Sequence, residues 1–136
     1  MKVTELHIGD WVRVEGHGDC QVEALDSDGT VLVDGDYYCT EDDCSPVPLT
    51  ADILAKNGFR RKKDWMQFGN FGDMPLIMWH TAHNKTLGNY PNQLAIDNFV
   101  GDDNYREHYW ARVRCDWVHE MQRALLSCKV KKEIVL

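Results

Sequence analysis

Pro46-Val47-Pro48-Leu49-Thr50-Ala51-Asp52-Ile53-Leu54-Ala55-Lys56-Asn57-Gly58-Phe59 is the stretch on which the reading of the fold turns, because it divides two halves of different composition and carries the clearest local code. It reads as a short capped helix at a junction. Thr50 is a suitable N-cap, Asp52 places a negative charge in the first turn, and Gly58 is positioned to leave the helix in a left-handed conformation. Leu49 before the cap and Leu54 inside it have the spacing of a hydrophobic staple, which fixes the angle of entry.

Working outward, charge changes sign at this junction. Residues 1–50 hold 12 Asp or Glu against 2 Lys or Arg, whereas residues 51–136 hold 10 against 13, within a total of −7. An acidic front half repels phosphate backbones and removes the long-range attraction on which non-specific nucleic-acid binding depends. The hydrophobic fraction of 43% and charged fraction of 27% over 136 residues describe an ordinary globular chain with room for one core or two small ones. No apolar run has the length of a membrane span, and Met1-Lys2-Val3-Thr4-Glu5 lacks the apolar core of a secretory signal, so a cytoplasmic protein is expected. Five cysteines in a reducing compartment are expected to be free thiols.

Before the junction, four short strands are expected. Val12 and Val14 alternate after a Gly9-Asp10 turn, and Cys20 to Leu25 alternates again. Asp28-Gly29 is a hairpin signal leading to Thr30–Val33, and Asp34-Gly35 a second one leading to Asp36–Cys39. Glu41-Asp42-Asp43 reads as an acidic loop. Such a pattern suits a small SH3-like barrel or a strongly bent sheet. After the junction, Arg60–Lys63 is a basic run, read most simply as a solvated turn, ahead of Trp65–Phe68; the apolar run Pro75–His80, Gln93–Val100 and Tyr105–Arg114 read as strands, with a long loop or irregular hairpin over 81–92. A C-terminal helix is expected from Asp116, as N-cap, to about Cys128. Its stripe is Val118, Met121, Leu125 and Cys128, and Ile134-Val135-Leu136 reads as a possible terminal strand.

Three segments together resemble a family of short hypothetical proteins from phages and mobile elements of bacteroidete bacteria. They are Leu6-His7-Ile8-Gly9-Asp10-Trp11-Val12, then Pro46–Thr50 with Ile53, Leu54, Gly58 and Phe59, and finally Trp117-Val118-His119-Glu120-Met121-Gln122. Ser127-Cys128-Lys129-Val130 departs from the Thr-Gly turn usual in that family. The resemblance implies an accessory protein of a phage or mobile element, and it carries over no catalytic or binding residue.

Candidate chemistry is sparse. His80 and His83 have the spacing of a metal-binding pair, and Cys39 and Cys44 are conceivable additions from the other half of the chain, but four ligands are needed at close quarters. Surface or loop histidines are the simpler reading. No local signature surrounds any cysteine, and His119, in the first turn of the last helix, reads as a structural hydrogen-bonding residue rather than a general base. Phosphate-cradling loops, nucleophile elbows and paired-carboxylate patterns are absent from the sequence.

What remains is a basic and aromatic second half. Arg60, Arg61, Lys62, Lys63 and Trp65 are the candidate binding residues, and Phe68, Phe71, Trp79, Tyr105, Arg106, Tyr109, Trp110, Arg112 and Arg114 extend the pattern. Most of the rings are expected to fill the core. The sequence therefore predicts an α+β protein with an acidic SH3-like β subdomain over 1–48 and an α+β subdomain over 49–136, in which an antiparallel sheet packs on the C-terminal helix. The expected role is non-catalytic binding of another protein, with no cofactor or metal. Single-stranded nucleic-acid binding is the alternative, and a small enzyme or zinc protein using His80 and His83 a more distant one.

Overall fold

Alternating valines build the first sheet. Val12 and Val14 on β1 (Trp11–Val14), Val22 on β2 (Gly18–Leu25), and Val31 and Val33 on β3 (Thr30–Val33) are all buried. They form one apolar cluster with Leu6, Cys20, Cys39 and Cys44. β4 (Tyr37–Thr40) and β5 (Cys44–Pro46) complete an antiparallel sheet of order β4-β3-β2-β1-β5. The computed structural model describes residues 1–81, 91–102 and 104–136. Their backbone contacts divide the chain into Met1–Pro48 with Trp117–His119, and Leu49–Asp116 with Glu120–Leu136.

The first sheet departs from the sequence reading in two places. Glu41–Asp43, read as a loop, is a 3-10 turn closed by the Asp43 carboxylate, which accepts from Thr40 N at 3.1 Å and Thr40 Oγ1 at 3.0 Å. β5 is an additional strand, pairing Val12 with Pro46 and Val14 with Cys44. Its three residues end in proline, too short and too atypical to show alternation. Among the described residues the sheet remains open, with no closed barrel.

The junction helix, α1 (Ala51–Lys56), forms as its caps require: Thr50 Oγ1 accepts from Ile53 N at 3.2 Å, and Gly58 has φ +86°. Phe59 N then donates back to Leu54 O at 3.0 Å, and the buried Phe59 ring packs 5.5 Å from Phe68.

The second sheet is an antiparallel meander of order β10-β9-β8-β7-β6. Its strands are β6 (Arg60–Arg61), β7 (Trp65–Phe68), β8 (Leu76–His80), β9 (Gln93–Gly101) and β10 (Arg106–Arg114). The register puts Met66, Trp79 and Leu94 in one row, with Ile77 and Ile96 in another, and these five side chains are buried. The long loop expected over 81–92 falls largely on 82–90, outside the described residues.

The last helix, α2 (Val118–Ser127), buries Val118, Met121 and Leu125, and Cys128 just beyond it is also buried. The buried Asn98 amide on β9 donates to Cys128 O at 2.8 Å. Asp116 lies two residues ahead of the helix, where its carboxylate accepts from Asn92 Nδ2 and Arg114 Nε, each at 2.8 Å. Ile134–Leu136 has no strand assignment. A side chain takes the place of a strand partner there: Asn57 Nδ2 donates to Val135 O at 2.9 Å, and Val135 N donates to Asn57 Oδ1 at 2.8 Å. No helix among the described residues is long and apolar enough to cross a membrane.

Candidate functional site

The sequence-predicted binding residues form one small hairpin. Arg60 and Arg61 are exposed on β6, Lys62 N donates to Trp65 O at 2.8 Å to close the turn, and Lys63 is exposed at its tip. Arg60 is drawn aside by Asn70, whose Oδ1 accepts from Nη2 at 2.6 Å. Trp65 is half-buried, donates its indole N–H to Gln67 Oε1 at 2.9 Å, and leans on the His80 ring with centroids 5.3 Å apart. This tryptophan is therefore engaged by its own sheet.

The wider basic and aromatic set does not converge. β6 and β10 are opposite edges of the sheet, separated by four strand spacings, or about 19 Å. Trp79 is buried at 2% exposure and donates Nε1 to Cys115 O at 2.9 Å, so it belongs to the core. What sequence alone does not separate is the hairpin from the other edge.

That other edge is a long strand with little covering it among the described residues. Every residue of β10 is exposed or half-exposed, on both faces of the strand. A strand with a single neighbour leaves half its backbone N–H and C=O groups without a ladder partner. Among the described residues β10 pairs with β9 alone, over nine residues from Arg106↔Gly101 to Arg114↔Gln93. Alternation divides its side chains: Arg106, His108, Trp110, Arg112 and Arg114 share one face, and Glu107, Tyr109, Ala111 and Val113 the other. Large apolar groups are exposed along the ribbon, with Tyr105 at 67%, Trp110 at 63%, and Phe99, Val100 and Val113 at about 41–42%.

Interactions within the ribbon hold these groups in place. Phe99 and His108 stack with centroids 4.4 Å apart, and the Arg112 guanidinium lies 5.9 Å from the centre of the Trp110 ring. Asp97 accepts from His108 Nε2 at 3.1 Å and Arg112 Nη2 at 3.0 Å, so part of the basic face is neutralised internally. On the opposite face Glu107 accepts from the hydroxyls of Tyr105 and Tyr109. Those bonds, Tyr109's first, hold the Glu107 carboxyl below its ordinary range, and Glu107 in turn raises both tyrosines. The ribbon thus presents ordered rings beside an edge that no other described strand pairs with.

The groups weighed for chemistry are dispersed. His80 is buried on β8, and neither ring nitrogen has a hydrogen-bond partner among the described residues. Burial pulls its pKa below the ordinary value, against a smaller opposing pull from Asp64. His83 lies outside the described residues. Cys39 and Cys44 sit in the first unit with Sγ atoms 3.9 Å apart, and all five cysteines are buried and outside any disulfide. Burial pushes Cys44 up to about 12 and raises Cys39 and Cys128, the opposite of the shift that activates a thiol nucleophile. His119 is buried in the first turn of α2. No protein-family model, curated protein or solved structure matches the chain.

Proposed function

We propose that this protein is a non-catalytic accessory protein of a phage or mobile element that binds another protein in the cytoplasm, and that it does so by accepting a strand of that partner along β10. The observation that carries this reading is the nine-residue edge strand exposed on both faces and flanked by Tyr105, Trp110, Phe99, Val100 and Val113. Strand addition takes affinity from main-chain hydrogen bonds and specificity from alternate side chains, and an edge of this length with exposed Tyr105, Trp110 and Val113 along it supplies both. The first unit is read as an SH3-like module. Its support is the order β4-β3-β2-β1-β5 with a 3-10 turn between β4 and β5.

Nucleic acid is the second reading, favoured by the face that alternates Arg106, His108, Trp110, Arg112 and Arg114. The protein partner is preferred because Asp97 and Asp116 hold two of those arginines and the whole chain carries −7. A photo-crosslinking residue at Tyr105 tests the choice in the native host. One crosslinked protein, lost when Trp110→Ala and Val113→Lys are added but retained when Arg60, Arg61, Lys62 and Lys63 are all changed to Gln, is the expected result. Salt-sensitive capture of single-stranded nucleic acid in place of protein would overturn it.

A further inference from the structure

Two turns of the first unit bring three metal-ligating groups together. His17 stands between Gly16 and Gly18 in the turn joining β1 to β2, and its backbone N–H donates to Val14 O at 3.0 Å. Asp34 occupies the turn joining β3 to β4, with φ +50°, a conformation Asp tolerates better than most residues. Cys20 projects from β2 between them, buried at 2% exposure. The imidazole, thiol and carboxylate each offer an atom within 4.8 Å of the other two.

Several features favour a ligand set over a chance meeting of side chains. The His17 ring is held by stacking on Tyr37, with centroids 4.1 Å apart and planes inclined by 17°. Its Nε2 is 2.7 Å from Asp34 Oδ2. The Cys20 thiol makes only a long contact of 3.7 Å to Gly18 O, a weak bond for a buried polar group. The side chains of His17 and Asp34 are 26% and 54% exposed, so an ion can reach the buried sulfur from their side. Tetrahedral bonds of about 2.3 Å to sulfur and 2.0–2.1 Å to nitrogen or oxygen set ligand atoms roughly 3.3–3.6 Å apart, a spacing these three reach by small side-chain rotations. The surrounding segment supplies the field: residues 1–50 carry 12 carboxylates against 2 cationic side chains, which concentrates cations near this surface.

We propose that His17, Cys20 and Asp34 form a mononuclear site for a divalent transition metal of the zinc class, with its fourth position open to water. Mixed imidazole, thiolate and carboxylate donors suit zinc and its spectroscopic substitute cobalt, and disfavour calcium and magnesium, which take oxygen. Binding releases the thiol proton of Cys20 to solvent, shifts the His17 ring proton from Nε2 to Nδ1, and replaces the His17–Asp34 hydrogen bond by two bonds to the ion. The ion then staples the β1–β2 turn to the β3–β4 turn. His17-x-x-Cys20 alone shows none of this in sequence, because the third ligand comes from a separate hairpin.

Cobalt(II) titration of the full chain, prepared with chelator and without a histidine tag, tests the site. One equivalent is expected to produce a thiolate-to-cobalt charge-transfer band with the intense visible bands of tetrahedral coordination, and zinc(II) is expected to displace it. Cys20→Ser is expected to remove the charge-transfer band. Asp34→Asn and His17→Ala, both in surface turns where folding is not at stake, are expected to weaken cobalt binding about tenfold or more, while Cys44→Ser leaves it unchanged. Absence of the band in the wild-type protein overturns the proposal. So does its persistence in Cys20→Ser, or unchanged affinity in Asp34→Asn.

Discussion

Asn57 closes both ends of a segment that has no strand of its own. Its amide donates to Ile53 O at 2.8 Å and to Val135 O at 2.9 Å, and its oxygen accepts from Val135 N. Asn57→Ala strands these buried or half-buried backbone groups, so it is expected to cost about 1–3 kcal/mol, read from the urea midpoint. Gly58→Val acts by a different route. An added Cβ at Gly58 meets nothing closer than Phe68 Cε2 at 3.8 Å, so the cost comes from φ +86° alone. A loss of about 1–3 kcal/mol with crosslinking through Tyr105 intact is expected. A lost crosslink at unchanged melting temperature would assign this segment to binding. Thr50 and Gly58 were legible in sequence because a cap acts within one helical turn. Asn57 was not, since its second partner lies 78 residues along the chain.

β10 and β8 show why strand identity was easier to read than strand exposure. Both are rich in large side chains, yet β8 is buried along most of its length and β10 is not. The difference is position: β8 has a neighbour on each side and β10 has one. The paired changes Trp110→Ala and Val113→Lys therefore fall at exposed positions and are expected to alter stability by less than about 1 kcal/mol. Ile77→Ala, at a fully buried β8 position, is expected to cost about 2–5 kcal/mol. Thermal unfolding of the two variants side by side checks the contrast. Alternation and turn signals located β1 to β4, and apolar or aromatic content located β8, β9 and β10, while β5, β6 and β7 were not read as strands; sheet order depends on pairings that no local pattern encodes. For that reason Arg60–Lys63 and Arg106–Arg114 read as one surface in sequence and stand on opposite edges in the fold.

For the molecule as a whole, buried ionisable groups set the pH range of stability. Burial lowers the pKa of His80 below its ordinary value, so as pH falls the unfolded chain takes up this proton first, near pH 6.5. The unfolded state then binds more protons, so stability is present above that pH and falls as pH drops below it. Cys44 works at the other end. Raised to about 12 from an ordinary 9.0, it keeps its proton in the folded state after the unfolded thiol has ionised, and stability falls as pH rises through that interval. Urea unfolding between pH 5 and 10 is expected to show both declines, with His80→Gln flattening the acid side and Cys44→Ala the alkaline side. The division of charge at the junction was plain from composition, but the depth at which these groups sit follows only from the completed sheets. The sheets also differ in the order in which they can be assembled. Every pairing of the second joins strands consecutive in the chain, so each hairpin zips onto the one before it. The first must bring β5 back to β1, Cys44 to Val14, after three other strands have formed between them. That closure spans more chain than any described pairing of the second sheet, so its loop-entropy cost is the larger. During synthesis β1 therefore keeps one unpaired edge until β5 is made, while β10, made last, gains no second strand partner among the described residues.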